Sequence, residues 1–208
     1  MSARRPFQRV GEETRRSALI EATLDLIAEG GPQAATVRAI ATRAGVTPGL
    51  IRHYFATKEE LVAAAHETLM TGLTEASMGS ADALPDDPVA RLSVFIGNAV
   101  SPPVTDPRAV ALWAASMQLV PRDAAMRAVH LSTYLGFRDR LEAMIADALR
   151  SAGRDTDESR SLAIAGNALL DGLWVEAGAL PDQFAPGELR SIAIKAFSRL
   201  LSLDLPEV

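Results

Sequence analysis

Cysteine is absent from the 208 residues. Disulfides, thiolate nucleophiles and zinc sites built on cysteine are therefore excluded. Histidine is scarce. His53, His66 and His130 stand far apart and lack the spacing of a metal-ligand set, so no metal is expected. No apolar run reaches the ~18–20 residues of a membrane span. The arginine-bearing start has no apolar signal-peptide core. A cytoplasmic protein without a membrane partner is the expectation. No nucleophile motif and no glycine-rich phosphate loop is present, so neither an enzyme nor a bound cofactor is expected. No stretch alternates with period two, and no strands are predicted.

What is present is helical periodicity and an uneven charge. The net charge is −5, but residues 1–58 hold nine Lys/Arg against five Asp/Glu, and residues 59–208 hold twelve against twenty-one. A basic N-terminal part on an acidic body fits a local DNA-binding face. An unevenly charged solvated surface is the alternative reading. Residues 1–11, with Arg4, Arg5 and Arg9, read as a flexible arm. It either reaches toward DNA or does nothing specific.

The spacing predicts an all-α chain of about nine helices. The first runs over Glu12–Glu29, with Glu12 and Glu13 in its first turn and Gly30-Gly31-Pro32 closing it. Thr36 caps a second, short helix whose Val37, Ile40 and Ala41 face inward, and Gly45 stops it. Thr47 caps a third helix with Pro48 at its first position, ending near Tyr54. Thr57 opens a fourth helix, about 57–78, with Glu60 completing a capping box. Five further helices follow, separated by Gly79–Asp87, Ser101-Pro102-Pro103, Pro121, Gly153–Asp157 and Pro181–Pro186.

The second and third helices have the layout of a helix-turn-helix, whose second helix enters the major groove. The third is oddly built for a core helix. It presents Thr47, Gly49, Arg52 and His53, and only Leu50 and Ile51 look like anchors. The small residues at its start let the backbone come close to DNA. Thr47 can bond a phosphate or a base edge, and Arg52 can reach a guanine edge or a phosphate. Thr36 offers a hydroxyl to a phosphate, Arg38 faces outward, and Tyr54 and Lys58 lie just beyond the third helix, well placed for phosphates. A helical hairpin with a solvated basic face is the bland alternative.

The joint pattern decides. Ala44-Gly45-Val46, Thr47-Pro48-Gly49, His53-Tyr54-Phe55 and Lys58-Glu59-Glu60-Leu61, within roughly Arg15–Leu69, resemble the TetR family of bacterial repressors. The resemblance implies that Tyr54 and Lys58 contact phosphates and that Phe55 anchors the core. It also implies that Thr47, Pro48, Gly49 and His53 approach bases or their flanking phosphates. Residues 1–60 would form the DNA-binding domain, the fourth helix the connector, and residues 61–208 a helical ligand-binding and dimerisation domain. Such proteins dimerise through their last two helices, here the eighth and ninth, and bind a palindromic double-stranded operator.

The acidic body holds Trp113, Met117, Tyr134, Phe137, Asn167, Asp171 and Trp174. Aromatic walls beside a carboxylate suit an unidentified small-molecule effector, and a quaternary ammonium compound in particular. Aromatics at this spacing are also ordinary core. Leu170-Asp171-Gly172-Leu173-Trp174 resembles the choline-responsive, BetI-like branch, as do the Ser2-Ala3-Arg4-Arg5-Pro6 start and the run Gly49–Phe55. The function implied is a sequence-specific transcriptional regulator, a repressor relieved by a ligand. An activator, or a ligand-independent DNA-binding protein of the same fold, stands as the alternative.

Overall fold

Leu19, Ile40, Ile51 and Leu61 come from four different predicted helices and Phe55 from the link between the last two, and all are nearly or fully buried in one cluster. The computed structural model describes residues 6–84 and 86–207, the side chains of residues 6–10 and 82 excepted. Among the described residues it is helical and contains no strand. The elements are α1 (Pro6–Gly30), α2 (Val37–Arg43), α3 (Pro48–Tyr54), α4 (Lys58–Met78), α5 (Pro88–Ala99), α6 (Pro107–Met117), α7 (Ala124–Ser151), α8 (Ser159–Ala179) and α9 (Glu188–Leu201). A single 3-10 turn, Ala81–Ala83, lies in the connection after α4.

Local chemistry sets most of these bounds. The α2 N terminus is closed by Thr36, whose Oγ1 accepts the Ala39 N–H at 3.2 Å. Its C terminus is a Schellman turn: Gly45, at φ +66°, donates to Thr42 and Val46 donates to Ala41. Before α4, Thr57 accepts the Glu60 N–H at 3.1 Å, and the Glu60 carboxylate reaches back to the Ala56 N–H at 2.7 Å. Asp87 and Asp123 cap α5 and α7 in the same way, accepting from Ala90 and Met126.

The start of α1 differs from the sequence reading. The helix begins at Pro6 and runs through Gly11, so Arg9 lies on a helical backbone and not in an arm. Proline suits the first helical position, and one interior glycine is tolerated. Glu12 and Glu13 then fall beyond the first turn, which holds no acidic residue. Arg4 and Arg5 of the expected arm lie outside the described residues.

The chain divides into two compact units. The first comprises residues up to Leu69 together with Leu112–Leu131. Its core joins Leu19, Ile27, Ile40, Ile51, Phe55, Leu61 and Ala65 to Leu112 and Met126. It is therefore larger than residues 1–60. The second comprises Met70–Ala111 and Ser132–Val208, around Phe95, Leu141, Ile145, Ile194, Phe197 and Leu201. Within it Gly166 of α8 lies against Phe197 of α9 so closely that a Cβ there would stand 2.7 Å from the ring. No helix of the described residues is long and apolar enough to cross a membrane.

Candidate nucleic-acid interface and polar cluster

The α3 helix is anchored on one side only. Ile51 and Phe55 are buried, and the Arg16 guanidinium of α1 stands 5.1 Å over the Phe55 ring. Thr47, Pro48, Gly49, Arg52 and His53 are exposed, and Leu50 is half-buried. Thr47 occupies the N-cap position, but its hydroxyl makes no cap hydrogen bond. That differs from the capping role read from sequence. Pro48 at N1 already fixes the first φ, and the unused hydroxyl points a polar group outward. Thr36 does cap its helix, yet its oxygen only accepts, so its proton can still be donated.

The remaining predicted DNA residues surround this face. Arg38 is exposed on α2, and Lys58 is half-buried at the first position of α4. Tyr54 is half-buried, packed against the first core and edge-on to His53 at 5.1 Å. His53 Nε2 lies 3.9 Å from the Glu12 carboxylate, a neighbour the sequence reading missed. It also missed what fixes α2 on α1. Arg43 makes a forked pair with Glu29 at 2.9 and 2.6 Å, with Asp25 at 3.7 Å. The Glu29 hydrogen bond raises the Arg43 pKa above its ordinary value. Thus the recognition hairpin is held by Phe55 beneath and Arg43 at its side.

Among the body residues, the structure draws Tyr134, Asn167 and Asp171 into one network in the second unit. The Tyr134 hydroxyl donates to Asp171 Oδ2 at 2.7 Å. The buried Asn167 amide donates to both, at 2.7 Å to the Tyr134 oxygen and 3.0 Å to the carboxylate. Burial, then the Asp171 hydrogen bond, pushes the Tyr134 pKa up to about 12. Its phenol therefore stays a donor. The other residues are placed differently. Phe137 packs on Phe95 with ring centroids 5.2 Å apart, at the edge of the second core. Trp174 is buried, with its indole N–H bonded to the Val104 carbonyl at 2.6 Å. Trp113 and Met117 are half-buried and belong to the first unit.

A short helix pair with one anchored side and one exposed basic side defines a helix-turn-helix DNA reader, carried here on a helical body. Comparisons with known proteins agree. Residues 19–65 match the family of bacterial regulatory proteins of the tetR type, and residues 88–202 match the C-terminal model of BetI-type transcriptional repressors. The HTH-type transcriptional regulator BetI 2 of Chromohalobacter salexigens is 34% identical over 198 residues, covering 92% of this chain and 90% of that protein. A solved protein from Pseudomonas aeruginosa PAO1, described as a transcriptional regulator, is 33% identical and covers 95% of each chain with a TM-score of 0.84. A regulator from Saccharomonospora viridis, solved in complex with choline, has a TM-score of 0.73 at 17% identity over 90% of this chain and 96% of that one, a likeness of fold. The chain belongs to the TetR family, with a C-terminal part of the BetI type. It is a DNA-binding transcriptional regulator and not an enzyme.

Proposed function

We propose that this chain is a repressor that grips a palindromic operator as a homodimer and releases it when a cationic small molecule occupies the second unit. The observation that carries the reading is the outward face of α3. It joins an uncommitted Thr47 hydroxyl, a close-approach Pro48-Gly49 start and an exposed Arg52 on a helix whose other side is buried. Thr47, Gly49, Arg52 and His53 are the base-facing set, with Pro48 shaping the approach. Thr36, Arg38, Tyr54 and Lys58 hold phosphates and set the register. Residues 1–60 supply the reader, α4 the connector and the rest the ligand and dimer functions, all in the cytoplasm.

Dimerisation through α8 and α9 is supported by what those helices leave uncovered. Ile164 is 44% exposed, Val175 39% and Ile192 41%, while Ala165, Ala168 and Gly172 line the same side of α8 with small exposed residues. Small residues between exposed aliphatics favour close approach of a second copy across a two-fold axis. Palindromic half-sites would then mirror that axis.

The effector reading rests on the Tyr134–Asn167–Asp171 network. A carboxylate on a tyrosine, inside a mostly apolar unit, offers a cation both charge and a ring face. Phe137 and Trp174, of the same unit, complete the proposed ligand set. Footprinting of the DNA upstream of its own gene, with and without choline, tests both halves. A symmetric protected stretch that fades on adding choline is expected. Protection nowhere contradicts the DNA reading, and protection that choline leaves untouched contradicts the cationic effector.

A further inference from the structure

A groove of about 250 Å³ runs between the second half of α4 and the first half of α7, within the second unit. Thr71, Thr74 and Glu75 line it from α4, at i, i+3 and i+4, one face of a helix. Thr133, Gly136 and Arg140 line it from α7 with the same kind of spacing. Two features separate this groove from an ordinary hydrated surface.

The first is its charge. The Glu75 carboxylate and the Arg140 guanidinium line one small cavity from facing helices, both exposed, yet form no ion pair with each other among the described residues. The second is Gly136. It lies in the interior of α7, where glycine is a weaker helix former than alanine. A Cβ there would meet nothing within 4 Å, so packing inside the chain does not require glycine. The glycine lines the groove without filling it with a side chain. The volume is below the ~300–1,000 Å³ of drug-sized sites, so the occupant is small.

We propose that this groove is a second small-molecule site, for a zwitterion of the amino-acid type. Glu75 receives the ammonium group. Arg140 takes the carboxylate with its fork of N–H donors. The Thr71 hydroxyl serves the remaining polar atoms, while Thr74 already donates to the Met70 carbonyl at 3.0 Å and contributes only its oxygen. A ligand with a single charge leaves one wall unmatched, which is how the site discriminates. The groove shares Phe137 with the proposed effector set but no side chain with the Tyr134–Asn167–Asp171 network, and its charged walls, Glu75 and Arg140, take no part in the effector reading.

Calorimetric titration of the full chain with glycine, L-serine, L-threonine and L-proline, each to about 10 mM, tests this. Ethanolamine and propionate are the singly charged controls. At least one zwitterion should bind at one site per chain, with neither control binding. Glu75→Gln and Arg140→Gln should each weaken binding tenfold or more, Gly136→Leu should abolish it, and Asp171→Asn should leave it unchanged. Circular dichroism verifies the fold of each variant, and Glu75 and Arg140 are surface positions that tolerate substitution. Absence of binding by all four zwitterions, equal binding by a control, or affinity indifferent to both Glu75→Gln and Arg140→Gln overturns the proposal.

Discussion

Tyr134 donates its phenol proton to Asp171 Oδ2 across 2.7 Å, and the Asn167 amide bonds both partners. Asn167 is only 2% exposed, and removing the carboxylate takes one of the two acceptors of its amide and the acceptor of the Tyr134 hydroxyl. Asp171→Ala is expected to cost about 1–3 kcal/mol, the range for losing hydrogen bonds to a charged group. Thermal melting measures it. Asp171→Asn, which keeps an acceptor oxygen, should cost less.

The same network makes a pH prediction. The chain has two tyrosines, Tyr54 and Tyr134. Tyr134 has its pKa raised to about 12 by burial and by its bond to Asp171. The fold therefore favours the neutral phenol. That contribution is complete below the unfolded value near 10 and is lost as pH rises through the folded value. Ultraviolet titration of native protein should show tyrosinate absorbance still rising near pH 12. Tyr134→Phe should remove that late step.

His66 behaves in the opposite sense. It is 2% exposed, its Nε2 lies 3.4 Å from His130 Nδ1, and its Nδ1 is buried without a hydrogen-bond partner. Burial, then the neighbouring His130, lowers its pKa from 6.5 to about 4. The fold holds the neutral ring, so this stability is present above pH 6.5 and drains away as pH falls toward 4. By pH 5 the loss from this residue is about 2 kcal/mol relative to pH 7. Urea unfolding at the two pH values should show it, and His66→Asn should flatten the difference.

Two helix-interior glycines should respond oppositely to alanine. Gly72 of α4 is exposed, and a Cβ there meets nothing within 4 Å. Gly72→Ala should stabilise by about 0.5–1 kcal/mol, the helix-propensity difference. At Gly166 the new Cβ meets the fully buried Phe197 ring at 2.7 Å. Gly166→Ala should cost about 1–3 kcal/mol, because overpacking outweighs propensity. Matched melting curves decide.

Much of this was legible in the residues. Thr36, Gly45, Pro48 and the Thr57/Glu60 box marked their helix ends because capping is local chemistry, read over four or five positions. The start of α1 was not, because Gly11 looks like a breaker, although a single glycine inside a helix costs only about 1 kcal/mol. The division into units escaped for a longer-range reason. Residues Leu112–Leu131 join the first unit through contacts such as Leu112 and Met126 in its core, and periodicity marks a buried face without naming its partner. For the same reason α9 showed one apolar stripe in sequence. In the fold Ala193, Phe197 and Leu201 turn inward while Ile192 stays exposed. Of the site, the α3 residue types were readable. The Arg43–Glu29 clamp, fourteen residues apart, and the unused Thr47 hydroxyl were not.

The exposed side of α8 bears directly on assembly. Ala168 is exposed there, between Ala165 and Gly172. Ala168→Glu places a charge in the proposed interface without touching the buried core. Sedimentation should show a monomer where the unaltered chain gives a dimer, with circular dichroism unchanged. Operator affinity should fall with it, since one short recognition helix reads too little sequence alone.

In the proposed function, α3 and its flanks are the DNA-reading surface. The most direct measurement is operator affinity as a function of salt for the unaltered chain, Arg52→Ala and Lys58→Ala. The logarithm of affinity should fall linearly with the logarithm of salt, by about 0.9 for each phosphate neutralised. Lys58→Ala should weaken binding to all sequences and lower that slope by about two in a dimer, while Arg52→Ala should weaken the operator more than unrelated DNA. If both variants keep the affinity, slope and specificity of the unaltered chain, α3 and its flanks are not the surface that reads DNA.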